Sequence, residues 1–138
     1  MMRPNPYQQY QTTQIQTAST GELVLLLYDG AVRFLTRAQA ALTERSLEAA
    51  GADLVRAQEV VLELLAGLDL ERGGALAANL RDLYLFVYKT LVEANLRKDA
   101  AKIATALRLL EPVRAAWQSV VRGEPEALAQ PVRGGVVA

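Results

Sequence analysis

The sequence contains no cysteine and no histidine among its 138 residues. The first absence excludes disulfides, thiolate nucleophiles and zinc–thiolate sites. The second removes the commonest general base near neutral pH and the commonest transition-metal ligand. Most enzyme mechanisms are weakened by the pair, so the expectation is a non-enzymatic protein with no cofactor and no metal. An excess of positive charge is lacking too. Fifteen Lys and Arg balance fifteen Asp and Glu, whereas a nucleic-acid binder needs surplus cations to displace counterions from phosphates. Long apolar runs are also missing. The longest strongly apolar one, residues 23–28, ends at Asp29-Gly30, far short of the roughly 20 residues of a membrane span. The N-terminal stretch runs through Pro, Tyr and Gln instead of a signal-peptide core. These absences predict a soluble cytoplasmic protein without membrane insertion.

What is present is ample core material. Hydrophobic residues make up 51% and charged residues 22%, enough for one folded domain. Residues 1–18 read as an extended arm. Pro4 and Pro6 disfavour helix there, and Tyr7, Tyr10 and Ile15 are isolated apolar points in a polar segment.

Four helices follow, forming a domain over residues 19–122. Ser19 and Glu22 have the spacing of a capping box at the start of the first, which should run to residue 42 or 43. Ser46 is the expected cap of the second, which stops at Gly67. Residues 69–74 read as a loop around the breaker pair Gly73-Gly74, which lacks the spacing of a phosphate cradle and is a turn. The third helix is expected over residues 75–96. The fourth begins at Asp99, ends before Gly123 and kinks at Pro112. No segment alternates with the period of a strand. Successive helices of about 20 residues with short connections predict an all-α, antiparallel up-down four-helix bundle. Residues 123–138 read as a flexible tail.

The helices carry more apolar surface than such a bundle needs. On the third, Leu76, Leu80, Leu83, Val87, Leu91 and Ala94 form a core stripe, and Leu85, Tyr88, Val92 and Leu96 form a second, well over a quarter-turn away. On the first, Val24, Leu27, Ala31, Leu35, Ala38 and Leu42 mark the apolar centre, widened by Leu25, Tyr28 and Val32. A second stripe is explained by steep helix crossing, by dimerisation or by grooves that take amphipathic helices from another chain. Several smaller features have plain readings. Asp29 and Arg33 are spaced to pair along one helix. Gly30 suggests close approach of a neighbouring helix. Asn79 and Asn95 read as polar surface, Trp117 as a core anchor, and Glu59 and Glu63 as a solvated face in place of a metal site.

Residues 5–11, Thr17-Ala18-Ser19 and the run from Glu22 through Tyr28-Asp29-Gly30-Ala31 to Phe34-Leu35 resemble the flagellin-export chaperone family FliS. Ala57-Gln58, Leu68-Asp69, Gly73-Gly74, Asn79-Leu80, Leu83-Tyr84 and Ala94-Asn95 follow in the family's order, so the resemblance covers residues 5–121. Thr20-Gly21 departs from it, standing where many members have Pro after Ser. The resemblance implies a cytoplasmic helical-bundle chaperone that binds the C-terminal segment of flagellin, prevents premature polymerisation and helps deliver it to an export-gate component of the flagellar secretion apparatus. The family's N-terminal tyrosine segment falls on Tyr7 and Tyr10. Together with the surplus stripes, it gives Tyr7, Tyr10, Ile15, Leu25, Tyr28, Val32, Leu85, Tyr88 and Val92 as expected partner-binding residues, on a monomer or weak homodimer.

Overall fold

A computed structural model of the chain describes residues 20–123. The expected arm with Tyr7, Tyr10 and Ile15, the capping residue Ser19 and the expected tail beyond Gly123 lie outside the described residues. Those described form four helices: α1 (Thr20–Thr43), α2 (Leu47–Ala66), α3 (Leu70–Arg97) and α4 (Ala100–Val121). Each helix packs against its neighbours in sequence, and α1 packs against α4, so the bundle closes into a ring. The short connections make consecutive helices antiparallel.

The α1–α2 and α3–α4 joins are made the same way. Arg45 adopts φ 60° and Lys98 φ 51°, the left-handed conformation that terminates a helix. The Ser46 N–H donates to the Ala41 carbonyl at 2.8 Å, and the Asp99 N–H to the Ala94 carbonyl at 3.0 Å. Ser46 therefore closes α1. It holds the N-cap position of α2, but its side chain makes no capping hydrogen bond, contrary to the sequence expectation.

The start of α3 also differs from expectation. The helix begins at Leu70, not near residue 75, because Asp69 caps it by accepting from the Arg72 N–H at 3.1 Å. One turn forms before Gly74, at φ 55° and ψ −133°, breaks the helical geometry. Only glycine adopts that conformation readily. The breaker pair thus kinks a helix instead of forming a separate loop. Helix α4 runs through Pro112 as one element. Pro112 and Arg108 are both exposed, which lets water satisfy the Arg108 carbonyl that has lost its donor.

The expected core stripes of α1 and α3 do face inward, where Leu35, Leu54, Val61, Val87, Leu91, Ile103 and Leu110 are buried completely. Each such side chain contributes about 1.5–3 kcal/mol by leaving water. At the centre, Tyr28 of α1 and Tyr84 of α3 reach across the diagonal of the ring, their hydroxyls 2.7 Å apart and their rings tilted at 58°. Ion pairs join neighbouring helices: Arg37 to the buried Asp53 at 3.5 Å, Lys102 to Glu93 at 3.0 Å and Arg114 to Asp29 at 2.6 Å. Asp29 therefore pairs across to α4, not along α1 with Arg33. The bonded carboxylate raises the Arg114 pKa. The Lys102 ammonium holds that of Glu93 below the usual range.

Gly30 does not mark a close helix approach. It is buried, yet a Cβ built there meets nothing within 4 Å. Gly30→Ala should therefore stabilise the protein by about 0.5–1 kcal/mol through helix propensity, read from the urea midpoint. A loss of stability would mean the space is not free.

Truncating one tyrosine orphans the other's buried hydroxyl. Tyr28→Phe or Tyr84→Phe alone should cost about 1–3 kcal/mol, and the double variant less than the two singles combined. Burial pushes the Tyr84 pKa up to about 12 and that of Tyr28 well above its ordinary value. Since the unfolded chain ionises both near 10, the folded state holds protons that the unfolded state has lost. Stability should thus be full below pH 10 and fall as pH rises through about 12. Urea unfolding against pH should show that fall in the parent and a flatter profile in the double variant.

Candidate functional site

The bundle leaves two apolar features open. The first is a cleft of about 360 Å³ at the end where α1 begins and α2 meets α3. Val24 and Leu27 of α1, Leu64 and Leu68 at the end of α2, Leu76 and Leu80 of α3 and Trp117 of α4 form apolar walls, with Glu63, Asp69 and Arg72 also lining it. Local folding produces this shape. The capped first turn of α3 sets Arg72 and Gly73 against the cleft before the kink at Gly74 redirects the helix. Gly73 leaves necessary room, because a Cβ there would stand 2.5 Å from that of Ala77. The indole Nε1 of Trp117 is buried without a hydrogen-bond partner, an unspent donor beside an apolar space. Tyr84 reaches the same cleft from the core.

The second feature is a row on the outer face of α2 and α3. Leu85 is 48% exposed and Leu96 80%, and Val55 and Leu62 of α2 are exposed as well. Val55, Gln58, Val92, Asn95, Leu96 and Lys98 enclose a shallow depression between the two helices. The Gln58 side-chain oxygen is buried with no donor. Asn95 uses its carbonyl and its side-chain oxygen to hold the Lys98 ammonium, both at 2.8 Å. It thereby fixes the end of α3.

The sequence-expected residues divide between these environments. Leu85 is exposed, while Tyr88 and Val92 are half-buried on α3, so the structure keeps these three on one helix. Tyr28 is 0% exposed. It belongs to the core and offers no surface to a partner, because its hydroxyl is committed to Tyr84 across the ring. Leu25 and Val32 are half-buried on α1 and lie outside the lining of the cleft. Trp117, read as a core anchor, packs against the core and lines the cleft as well. Sequence reasoning missed Val55, Leu62 and Phe86 as exposed apolar residues. The signal for the first two was there, because residues 55, 58 and 62 follow helical spacing on α2.

Both features are lined mainly by apolar side chains, with Glu63, Asp69 and Arg72 as the charged residues of the first and Lys98 that of the second. Among the described residues no group of three or more Asp or Glu could hold a metal, and Glu59 and Glu63 are exposed. No described helix is long and apolar enough to cross a membrane.

The profile of the family described as "Flagellar protein FliS" matches residues 3–124. The Flagellar secretion chaperone FliS of Bacillus subtilis is 32% identical over 120 residues, 87% of this chain and 89% of the relative. That of Salmonella typhimurium is 37% identical over 107 residues, 77% and 79% of the two chains. The Escherichia coli protein of the same name is 29% identical over 119 residues, 86% and 87%. With a match spanning the whole bundle, the chain belongs to the FliS family of flagellar secretion chaperones, which are not enzymes.

Proposed function

We propose that this chain is a cytoplasmic chaperone that binds the C-terminal segment of flagellin, keeps it from polymerising early and delivers it to an export-gate component of the flagellar secretion apparatus. The observation that carries this reading is the apolar surface left open at helical spacing, the cleft beside Trp117 and the row from Leu85 to Leu96. An amphipathic helix laid on either would remove large side chains from water on both partners. The flagellin segment folds as it binds, so its ordering offsets part of the contact energy. The complex is then specific yet reversible, and release needs no nucleotide hydrolysis. Leu85, Tyr88 and Val92 are the described residues proposed to meet the client. Leu25 and Val32 border it on α1. Tyr7, Tyr10 and Ile15 lie in or beside the same contacts and cover them in the free chain, which is a monomer or weak homodimer.

The test uses a peptide of the flagellin C-terminus. Titration into the protein should raise helical circular dichroism beyond the sum of the parts and shift the emission of Trp117, the only tryptophan. Leu85→Asp with Leu96→Asp alters exposed positions and should spare the fold. It should weaken binding by about tenfold to a hundredfold. Strict additivity of the dichroism at saturating peptide, or equal binding by the double variant, would overturn the reading.

A further inference from the structure

The α1–α2 face around Phe34, none of whose residues line the cleft or the α2–α3 depression, carries a concentration of charge that the proposed function does not use. Three guanidinium groups surround the half-buried ring of Phe34. Those of Arg33, Arg37 and Arg56 lie 5.6, 5.9 and 5.8 Å from its centroid. Arg33 and Arg37 come from α1 and Arg56 from α2, so cations approach the ring from both helices. Asp53 answers one of them, pairing with Arg37 at 3.5 Å. Arg33 and Arg56 make no ion pair or hydrogen bond among the described residues. Both are exposed.

Stacking on an aromatic face engages the plane of a guanidinium and leaves its in-plane N–H donors free. Arg33 and Arg56 are exposed, so their forks are accessible to a carboxylate, whose geometry they match. Holding like charges this close without matching anions is unfavourable, and an incoming anion relieves it. The surroundings restrict which anion fits. Asp53 and Glu59 flank Arg56 on α2, and Asp29 stands one turn before Arg33 on α1. The positive spot is consequently short. A nucleic-acid strand, with a charge every ~3.4 Å, would run onto these carboxylates. A lone phosphate would leave the apolar ring uncovered. A helix with acidic residues on both edges of an apolar stripe satisfies ring and cations together.

We propose that the α1–α2 face around Phe34 is a second docking surface, which takes an acidic amphipathic helix of a partner protein through Arg33, Arg37 and Arg56. The surface does not depend on flagellin binding.

The probe is a short synthetic peptide with Leu on one face and Glu at helical spacing on both sides of it. Arginine Nε–H resonances of the full chain should shift saturably at Arg33, Arg37 and Arg56. A peptide with Gln in place of Glu should leave them unmoved. Arg33→Gln with Arg56→Gln should lower affinity about tenfold, with the circular dichroism melt unchanged because both positions are exposed. Phe34→Leu keeps an apolar side chain and should weaken binding while the Arg33 and Arg56 resonances move toward free-guanidinium positions. No saturable shift would overturn the proposal. So would an equal response to the Gln peptide, to inorganic phosphate or to a single-stranded oligonucleotide, or undiminished binding by the double variant. None of these results bears on the Trp117 titration with flagellin peptide, which reports from the cleft.

Discussion

A helix in a ring of four has two neighbours, and the arc it can hide is set by how closely they approach. Alanines make that approach close here. Ala31 and Ala38 of α1, Ala50 and Ala57 of α2, Ala94 of α3 and Ala106 of α4 are all fully buried. Large side chains then fill only the central line, where Leu35, Leu54, Leu91, Ile103 and Leu110 meet. A tight ring of this kind leaves any apolar residue more than about a quarter-turn from the core line without a partner. Leu85 and Leu96 are such residues on α3, as Val55 and Leu62 are on α2. The surplus surface follows from close packing in the interior and does not reflect a loose bundle.

The same geometry explains what the sequence disclosed and what it withheld. Helix identity and the core stripes of α1 and α3 were legible because apolar periodicity is a local property. The second stripe on α3 was legible for the same reason, and the structure leaves Leu85 and Leu96 exposed. Tyr28 was misplaced because it sits at the edge of the α1 stripe, and only the diagonal partner Tyr84, 56 positions away, draws it inward. Asp29 has a candidate partner one turn on, but Arg114 of α4 reaches it at 2.6 Å. Pairings between distant segments leave no trace in local spacing. Gly73-Gly74 was recognised as a break. Whether a break separates helices or bends one depends on capping upstream, and Asp69 decides it.

Charge adds a further asymmetry that composition conceals. The chain is neutral overall, yet the ion pairs between helices consume acids and bases unevenly. Arg114 takes Asp29 of α1 as well as Glu111 of its own helix, and Lys102 takes Glu93 of α3. These pairs leave α4 firmly tied to α1 and α3. At the α1–α2 interface three guanidinium groups lie near Phe34, and one of them, that of Arg37, pairs with a carboxylate, Asp53. A balanced total can thus coexist with a local excess of positive charge.

The two ends of the bundle are built differently, and that difference places the cleft. At one end the α1–α2 and α3–α4 joins are closed by left-handed residues and by backbone bonds back into the last helical turn. There Asn95 pins Lys98, and a Cβ on Gly51 would stand 3.4 Å from the Asn95 side-chain oxygen, so α2 and α3 are in contact. At the other end α1 starts, α4 finishes and α2 meets α3 through the kinked turn at Gly74. Among the described residues, the cleft lined by Trp117 opens at that end. Among the described residues the two ends therefore differ: left-handed turns close both joins at one, and the apolar cleft opens at the other.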